Sequence, residues 1–365
     1  MKIECIKDNI QRALSKAERI SGKNLNLQIL NNICIEVKNK EVKIRSTNLD
    51  LGIEIIIPAK IHSECIVVVP GKTLSLFLEN IKNDTVVSLE KDENVLKIVT
   101  KHNSDTLKTY SENEFPTIPL VDGVLAQVSV KDFINGLRSV WFSASSLNIK
   151  PELSSVFLCP EKGNLFFVST DSFRLAEKKI KLKTSDTIPQ ILIPIKNISE
   201  IIRVFEESDG EIKVRIDKNQ ISFSKDGVYL TSRLVDGTFP DYKQIIPKES
   251  LTEIILLKED LINAMKISQI FSDHFNQVSF LIDPKKKSFE LKTKNSEVGE
   301  SVQSIDAVVR GEPISLNFNY KYIFDAFQSI ASDSLSLKMS GAGKPMVIQG
   351  VSDQTFTYIV MPMNK

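Results

Sequence analysis

Three histidines, His62, His102 and His274, are where metal or acid–base chemistry would start. They lie far apart, and none belongs to an HExxH or other metal-ligand spacing, so each reads as a surface or turn residue. Pro70-Gly71-Lys72-Thr73 resembles the end of a phosphate-binding loop, but Ile66 occupies the place of the first glycine. Gly341-Ala342-Gly343-Lys344-Pro345 fails as well, because Pro345 stands where a serine or threonine would hold magnesium. There is no GxSxG, and acidic pairs such as Asp92-Glu93 sit in polar runs. Cys5, Cys34, Cys65 and Cys159 show no CxxC pairing and read as small core residues of a reducing compartment. No catalytic residue, metal or cofactor is expected.

The chemistry that the spacing does support is electrostatic. At about 100° per residue, Ile6, Ile10, Ala13, Leu14 and Ala17 share one arc of a first helix, and Arg12, Lys16, Arg19 and Lys23 share the opposite arc. Asp8 lies near the basic face in the first turn, where the helix dipole favours an acid. A basic stripe backed by an apolar one suits a helix that packs on a sheet and faces a polyanion, although solvation alone explains most charged helix faces. Arg138, Arg203 and Lys266 put basic side chains on related elements further along. One Trp and six Tyr leave no dense basic–aromatic weave for stacking single-stranded bases. The expected contact is with duplex phosphates and carries no sequence information.

The elements that must position these residues come three times. The phrase Ile6-Lys7-Asp8-Asn9-Ile10 returns as Val130-Lys131-Asp132-Phe133-Ile134 and as Leu257-Lys258-Glu259-Asp260-Leu261. Val69-Pro70-Gly71-Lys72 returns as Ile193-Pro194-Ile195-Lys196 and as Phe318-Asn319-Tyr320-Lys321, each leading into an apolar-periodic helix. Lys72, Lys196 and Lys321 are spaced by 124 and 125 residues, and Phe115-Pro116 returns 124 residues later as Phe239-Pro240. Alternation in Val42 to Ser46 and Ile212 to Ile216 predicts strands, with turns at Lys162-Gly163-Asn164 and Lys225-Asp226-Gly227. Each repeat therefore reads as a two-layer α+β domain with two helices on antiparallel sheets, long enough to bury its own core. The expected domains are 1–122, 123–247 and 248–365.

Composition agrees with a folded chain: 42% hydrophobic and 25% charged over 365 residues. No run of apolar residues is long enough to span a bilayer, and the start, Met1 to Cys5, lacks a secretory signal, so a cytoplasmic protein with no membrane contact is expected. Lys and Arg number 47 against 46 Asp and Glu. A near-neutral chain that holds nucleic acid must either sort its positive charge onto one face or hold by something other than charge.

Three motifs resemble the bacterial beta sliding clamp family over essentially the whole chain. Thr170-Asp171-Ser172-Phe173-Arg174-Leu175-Ala176 is similar to the family's TDGHRLA. Leu234 to Tyr242, with Ile246-Pro247 after it, is similar to LVDGxFPDY…LP, and Tyr358 to Met363 to YVVMPM. The resemblance implies a DNA-clamp fold and a head-to-tail homodimer closed into a six-domain ring around duplex DNA. Such a ring holds DNA topologically, which accounts for the neutral charge. It tethers the replicative polymerase and is opened by a loader that spends the ATP, with repair polymerases and ligase as further partners. A hydrolase or nucleotide-using enzyme on the same scaffold is the alternative; it would require a convergent catalytic cluster, and none is visible.

Carried over by motif, the peptide pocket comprises Leu153, Thr170, Ser172, Phe173, Arg174, Leu175, Pro240, Gln244, Ile245, Asn317, Tyr320, Val360, Met361, Pro362 and Met363. Apolar side chains would line it while Arg174 and main-chain groups orient a short peptide. Lys23, Lys72 and Lys196 align with DNA contacts inside the ring; Arg12, Lys16 and Arg19 join them from the helix pattern, and Lys150 from the loop Leu147 to Glu152. For the subunit contact, the strand around Leu107 would meet Ile270 and Phe271 of the partner chain. Phe173 replaces a family histidine, Ser172 a glycine, Gln244 a common arginine and Asp105 a frequent aromatic, and Asn364-Lys365 replaces the usual tail.

Overall fold

A computed structural model describes residues 1–22, 27–82, 84–147, 149–182 and 188–363. The first repeat runs β1 (Lys2–Ile6), α1 (Lys7–Ile20), β2 (Asn32–Lys38), β3 (Glu41–Thr47), β4 (Leu51–Ile57), β5 (Ala59–Ser63) and β6 (Cys65–Pro70). It closes with α2 (Gly71–Asn80), β7 (Val86–Asp92), β8 (Val95–Val99) and β9 (Ser104–Lys108). The second runs β10 (Val124–Ser129), α3 (Val130–Val140), β11 (Ser155–Glu161), β12 (Asn164–Thr170), β13 (Arg174–Lys181) and β14 (Ile191–Pro194). Then come α4 (Ile195–Phe205), β15 (Glu211–Ile216), β16 (Gln220–Lys225) and β17 (Val228–Arg233). The third runs β18 (Thr252–Leu257), α5 (Lys258–Ile270), β19 (Gln277–Asp283), β20 (Ser288–Asn295), β21 (Gly299–Ser304), β22 (Ala307–Gly311) and β23 (Ile314–Asn319). It ends with α6 (Tyr320–Ala326), β24 (Ser334–Met339), β25 (Met346–Gly350) and β26 (Phe356–Val360).

The threefold order follows from local chemistry. Alternation sets the strands: β3 buries Val42, Ile44 and Ser46, and β15 buries Ile212, Val214 and Ile216. Each strand–helix phrase places its helix directly after a strand. α1 buries Ile10, Ala13, Leu14, Ala17 and Ile20 against β3, β4 and α2. Ile6, expected on that apolar arc, is instead the last residue of β1 and is 55% exposed, because strand pairing extends to the residue before the helix. The last helix is short: α6 stops at Ala326 and a 3-10 turn, Phe327–Ser329, carries the chain on.

Packing divides the described residues into two compact units that do not follow the repeats. One holds residues 1–131 and 196–234, the other 132–182, 189–195 and the chain from 235 onward. The first contains the sheet β5-β1-β7-β8-β9 and a larger sheet, β10-β15-β16-β17-β4-β3-β2-β6. In the larger sheet β17 of the second repeat pairs with β4 of the first, Leu230 opposite Ile53. The second unit contains β14-β11-β12-β13-β26-β25-β24-β18-β22 and β21-β20-β19-β23. There β26 of the third repeat pairs with β13 of the second, Tyr358 opposite Ala176. The repeated phenylalanines plug sheet faces: Phe115 packs on Cys34 and Val68, and Phe239 stacks on Phe157 at 4.7 Å. No helix among the described residues is long and apolar enough to cross a membrane.

Candidate functional site

The second unit carries an apolar cavity of about 790 Å³ whose first wall is the turn between β12 and β13. Asp171 Oδ1 accepts the amides of Phe173 (2.9 Å) and Arg174 (3.0 Å), and Thr170 Oγ1 donates to the Arg174 carbonyl at 2.7 Å. These bonds hold Ser172 at φ +79°, left-handed backbone that glycine adopts more freely, and leave Phe173 60% exposed. The first repeat builds the same turn, with Asn48 Oδ1 accepting from Asp50 and Leu51 and with Leu49 at φ +75°. The second wall follows Phe239 and Tyr242, which anchor it in the core. The Tyr242 hydroxyl donates to Glu177 Oε2 at 2.6 Å, and burial together with that bond pushes its pKa well up. Gln244 and Ile245 then stand at the rim. The chain end closes the third side: the Met361 amide donates to the Phe173 carbonyl (2.8 Å) and the Met363 amide to the Asn317 carbonyl (2.7 Å).

Eight of the expected pocket residues line this cavity: Thr170, Ser172, Phe173, Arg174, Leu175, Gln244, Ile245 and Met361. Leu153, Pro240, Asn317, Tyr320, Val360, Pro362 and Met363 do not. Leu153, Tyr320 and Val360 are buried, and Val360 is an interior ladder residue between Arg174 and Met346. Asn317 is taken by Met363 and by the Ser279 hydroxyl.

Arg174 lines the cavity and is also bonded within its wall. Its Nε donates to Asp171 Oδ2 at 2.9 Å, Nη1 to Asp325 Oδ2 at 2.6 Å and Nη2 to the Phe142 carbonyl at 2.8 Å, with the guanidinium over the Tyr322 ring. These bonds hold the wall in place and use three of its five N–H donors. Sequence reasoning missed Lys248, Glu249, Ser340, Lys344 and Pro345. Lys344 and Pro345 belong to the glycine-rich stretch set aside as a failed phosphate loop. The motif ending at Ile246-Pro247 pointed toward Lys248, but no local pattern joined it to residues 340–345.

The basic face in the first unit is less uniform than its spacing predicts. Arg12, Lys16 and Arg19 line one cavity of about 570 Å³, shared with Arg203 but also with Glu200, Glu206, Glu207 and Asp226. Arg12 and Arg19 are exposed. Lys16 is half-buried; its Nζ donates to the Val204 carbonyl at 2.8 Å, and burial lowers its pKa despite Glu207 nearby. Lys196 at the start of α4 is paired with Asp50 at 2.6 Å. Lys72 lines a separate cavity with Leu76, Phe77, Lys82 and His102. Lys150 is exposed on a loop of the second unit, and Lys23 lies outside the described residues. Of the residues expected at a subunit contact, Leu107 is half-buried on β9, Ile270 is 67% exposed at the end of α5, and Phe271 is half-buried beside it. No cluster of three or more metal-ligating side chains occurs among the described residues.

Family models described as the N-terminal, central and C-terminal domains of the DNA polymerase III beta subunit match residues 1–119, 127–241 and 243–364. The chain is 26% identical over 371 residues to the beta sliding clamp of Synechococcus elongatus, covering 100% of this chain and 99% of that one. It is 26% identical over 375 residues to the beta sliding clamp of Bacillus subtilis, again covering 100% and 99%. Its fold matches the crystal structure of the Bacillus subtilis DNA polymerase sliding clamp with a TM-score of 0.95, at 24% identity over 100% of this chain and 99% of that one. The beta subunit of Thermotoga maritima DNA polymerase III gives 0.94 at 25% identity, with the same coverage.

Proposed function

The chain belongs to the DNA polymerase III beta subunit family, and from that premise we propose that two copies join head to tail into a ring around duplex DNA. It is a sliding clamp, a non-catalytic processivity factor of DNA replication. The cavity beside Phe173 is the docking pocket for short peptides of the replicative polymerase and the loader, and of repair enzymes that share the ring. Arg12, Lys16, Arg19, Lys72, Lys150 and Lys196, with Lys23, are the phosphate contacts. A cytoplasmic location follows from that role.

One observation carries the ring. Within the chain, the fourth strand of one repeat pairs with the last strand of the next, β4 with β17 and β13 with β26. Two strands in these positions are left over, β21 and β9, and each is a sheet edge among the described strands. An exposed edge is a template for another strand, and a head-to-tail pair of chains supplies each edge with its counterpart twice. Around β21 the apolar side chains of Ile267, Ile270, Phe275, Val298 and Val302 are exposed, as a face awaiting cover would be.

The test is to load the protein with its loader on nicked circular DNA and then linearise the circle. Retention on the circle with loss from linear ends is expected. Equal retention on both would sink topological holding.

A further inference from the structure

The two junctions inside the chain let the chemistry of the third be written down. At the first, Leu230 of β17 lies opposite Ile53 of β4, which lies opposite Ser46 of β3, and α1, with Ala17 buried, packs on β3 and β4. At the second, Tyr358 of β26 lies opposite Ala176 of β13, which lies opposite Ser169 of β12, and the Ser169 hydroxyl donates to the carbonyl of Val140 in α3. Leu230, Ile53, Tyr358 and Ala176 are all fully buried. These pairs bring apolar surface together over Ser46 and Ser169, and the Tyr358 hydroxyl donates to the Tyr322 carbonyl at 2.6 Å.

At the third position the residue types change. Thr293 of β20 lies opposite Ser301 of β21, and Ser268 stands on α5 where α1 has Ala17 and α3 has Val140. Thr293 and Ser268 are 2% and 1% exposed, and neither hydroxyl has a hydrogen-bond partner among the described residues, as is also true of Ser46 at the first junction. Ser301 accepts a bond from Gln303 Nε2 at 2.9 Å, so its own hydrogen remains to be donated. The strand that belongs beside it is β9. There the residue opposite Ile98, as Leu230 is opposite Phe223 and Tyr358 opposite Ile348, is Asp105. Asp105 is exposed, and its carboxylate makes no hydrogen bond or ion pair with a described residue.

We infer that Asp105 of one chain accepts a hydrogen bond from Ser301 of a second copy, at the position where the two junctions within the chain set Leu230 against Ile53 and Tyr358 against Ala176. The inference rests on the two-chain ring. A carboxylate only accepts, and Ser301 has a hydrogen to give; an ionised acceptor makes that bond stronger than a neutral one would. Burying a carboxylate is costly without donors, and burying hydroxyls is costly without acceptors. Each chain thus holds half of a polar contact that is complete only in the assembly.

The test is sedimentation of the full chain over a wide concentration range, as wild type, Asp105→Ala, Ser301→Ala and the double variant. Asp105→Ala is expected to raise the dimer dissociation constant about tenfold or more, with an unchanged thermal melt of the single chain. The double variant is expected to lose much less than the product of the two single effects. A wild-type dimer that Asp105→Ala leaves unmoved or tightens, or effects that simply multiply, would overturn the bond alone. A wild-type chain monomeric at every concentration would overturn the ring and the bond together.

Discussion

Arg174 shows how far a residue named by a motif can be bonded into the fold that carries it. Three of its donors are spent on Asp171, Asp325 and the Phe142 carbonyl, all in the second unit. Arg174→Ala would leave two carboxylates without their cation; the Asp171 pair is largely buried while Asp325 is partly exposed, so a cost of roughly 2–3 kcal/mol is expected. A clear drop in the midpoint of urea unfolding is expected, together with loss of peptide binding. Asp353 makes a pH prediction at the same scale. Burial alone would push its carboxyl up, but bonds from Thr355 and from Lys178 at 3.3 Å outweigh that and hold it below the usual carboxylate range. A depressed carboxylate contributes stability above its unfolded-state pKa that is lost as pH falls through its folded value. Asp353→Asn should therefore destabilise the protein by about 1–2 kcal/mol at neutral pH and flatten the acid limb of the stability profile. Equal acid limbs in the two proteins would count against that account. Phe173, Arg174 and Met361 were legible in the sequence because each sits in a contiguous motif. Lys344 was not, since the fold brings residues 340–345 to the pocket from a remote hairpin.

At the scale of elements, the threefold order of strands and helices was legible from recurring phrases and alternation. What escaped was pairing: β4 with β17 and β13 with β26 join strands far apart in sequence, and periodicity carries no trace of such partners. Once seen, that pairing predicts the register between chains. Matching β9 to β17 and β26, and β21 to β4 and β13, puts Thr106 of one chain opposite Glu300 of the other. Cysteines at both positions should give a disulfide-linked dimer on mild oxidation, while Thr106→Cys paired with a cysteine at Gln303 should not. Helix seating gives another prediction. Gly136 of α3 lies so close to β12 that an added Cβ would fall 2.6 Å from the Phe167 ring. Gly136→Ala should lower stability by about 1–3 kcal/mol, despite the better helix propensity of alanine, as a shifted melt would report.

For the whole molecule, a net charge of +1 no longer conflicts with holding DNA. Arg12 and Arg19 line a cavity that also carries acids, so any phosphate contact proposed for them is tempered by nearby negative charge. Reversing both to glutamate should shorten retention on closed circles and reduce the salt slope of DNA association by roughly 0.9 for each phosphate that is no longer neutralised. Retention and slope equal to wild type would remove these residues from the DNA face. The sheets that run across repeat boundaries bear on the order in which the chain is made. The first repeat ends its half of the large sheet on β4, and the strand that covers β4, Val228–Arg233, is synthesised more than a hundred residues later. A growing chain on the ribosome must carry that open edge through the whole second repeat, and β13 must then wait for Phe356–Val360 at the very end. Translation that stalls in between leaves a fragment whose bare edge will adhere to its neighbours.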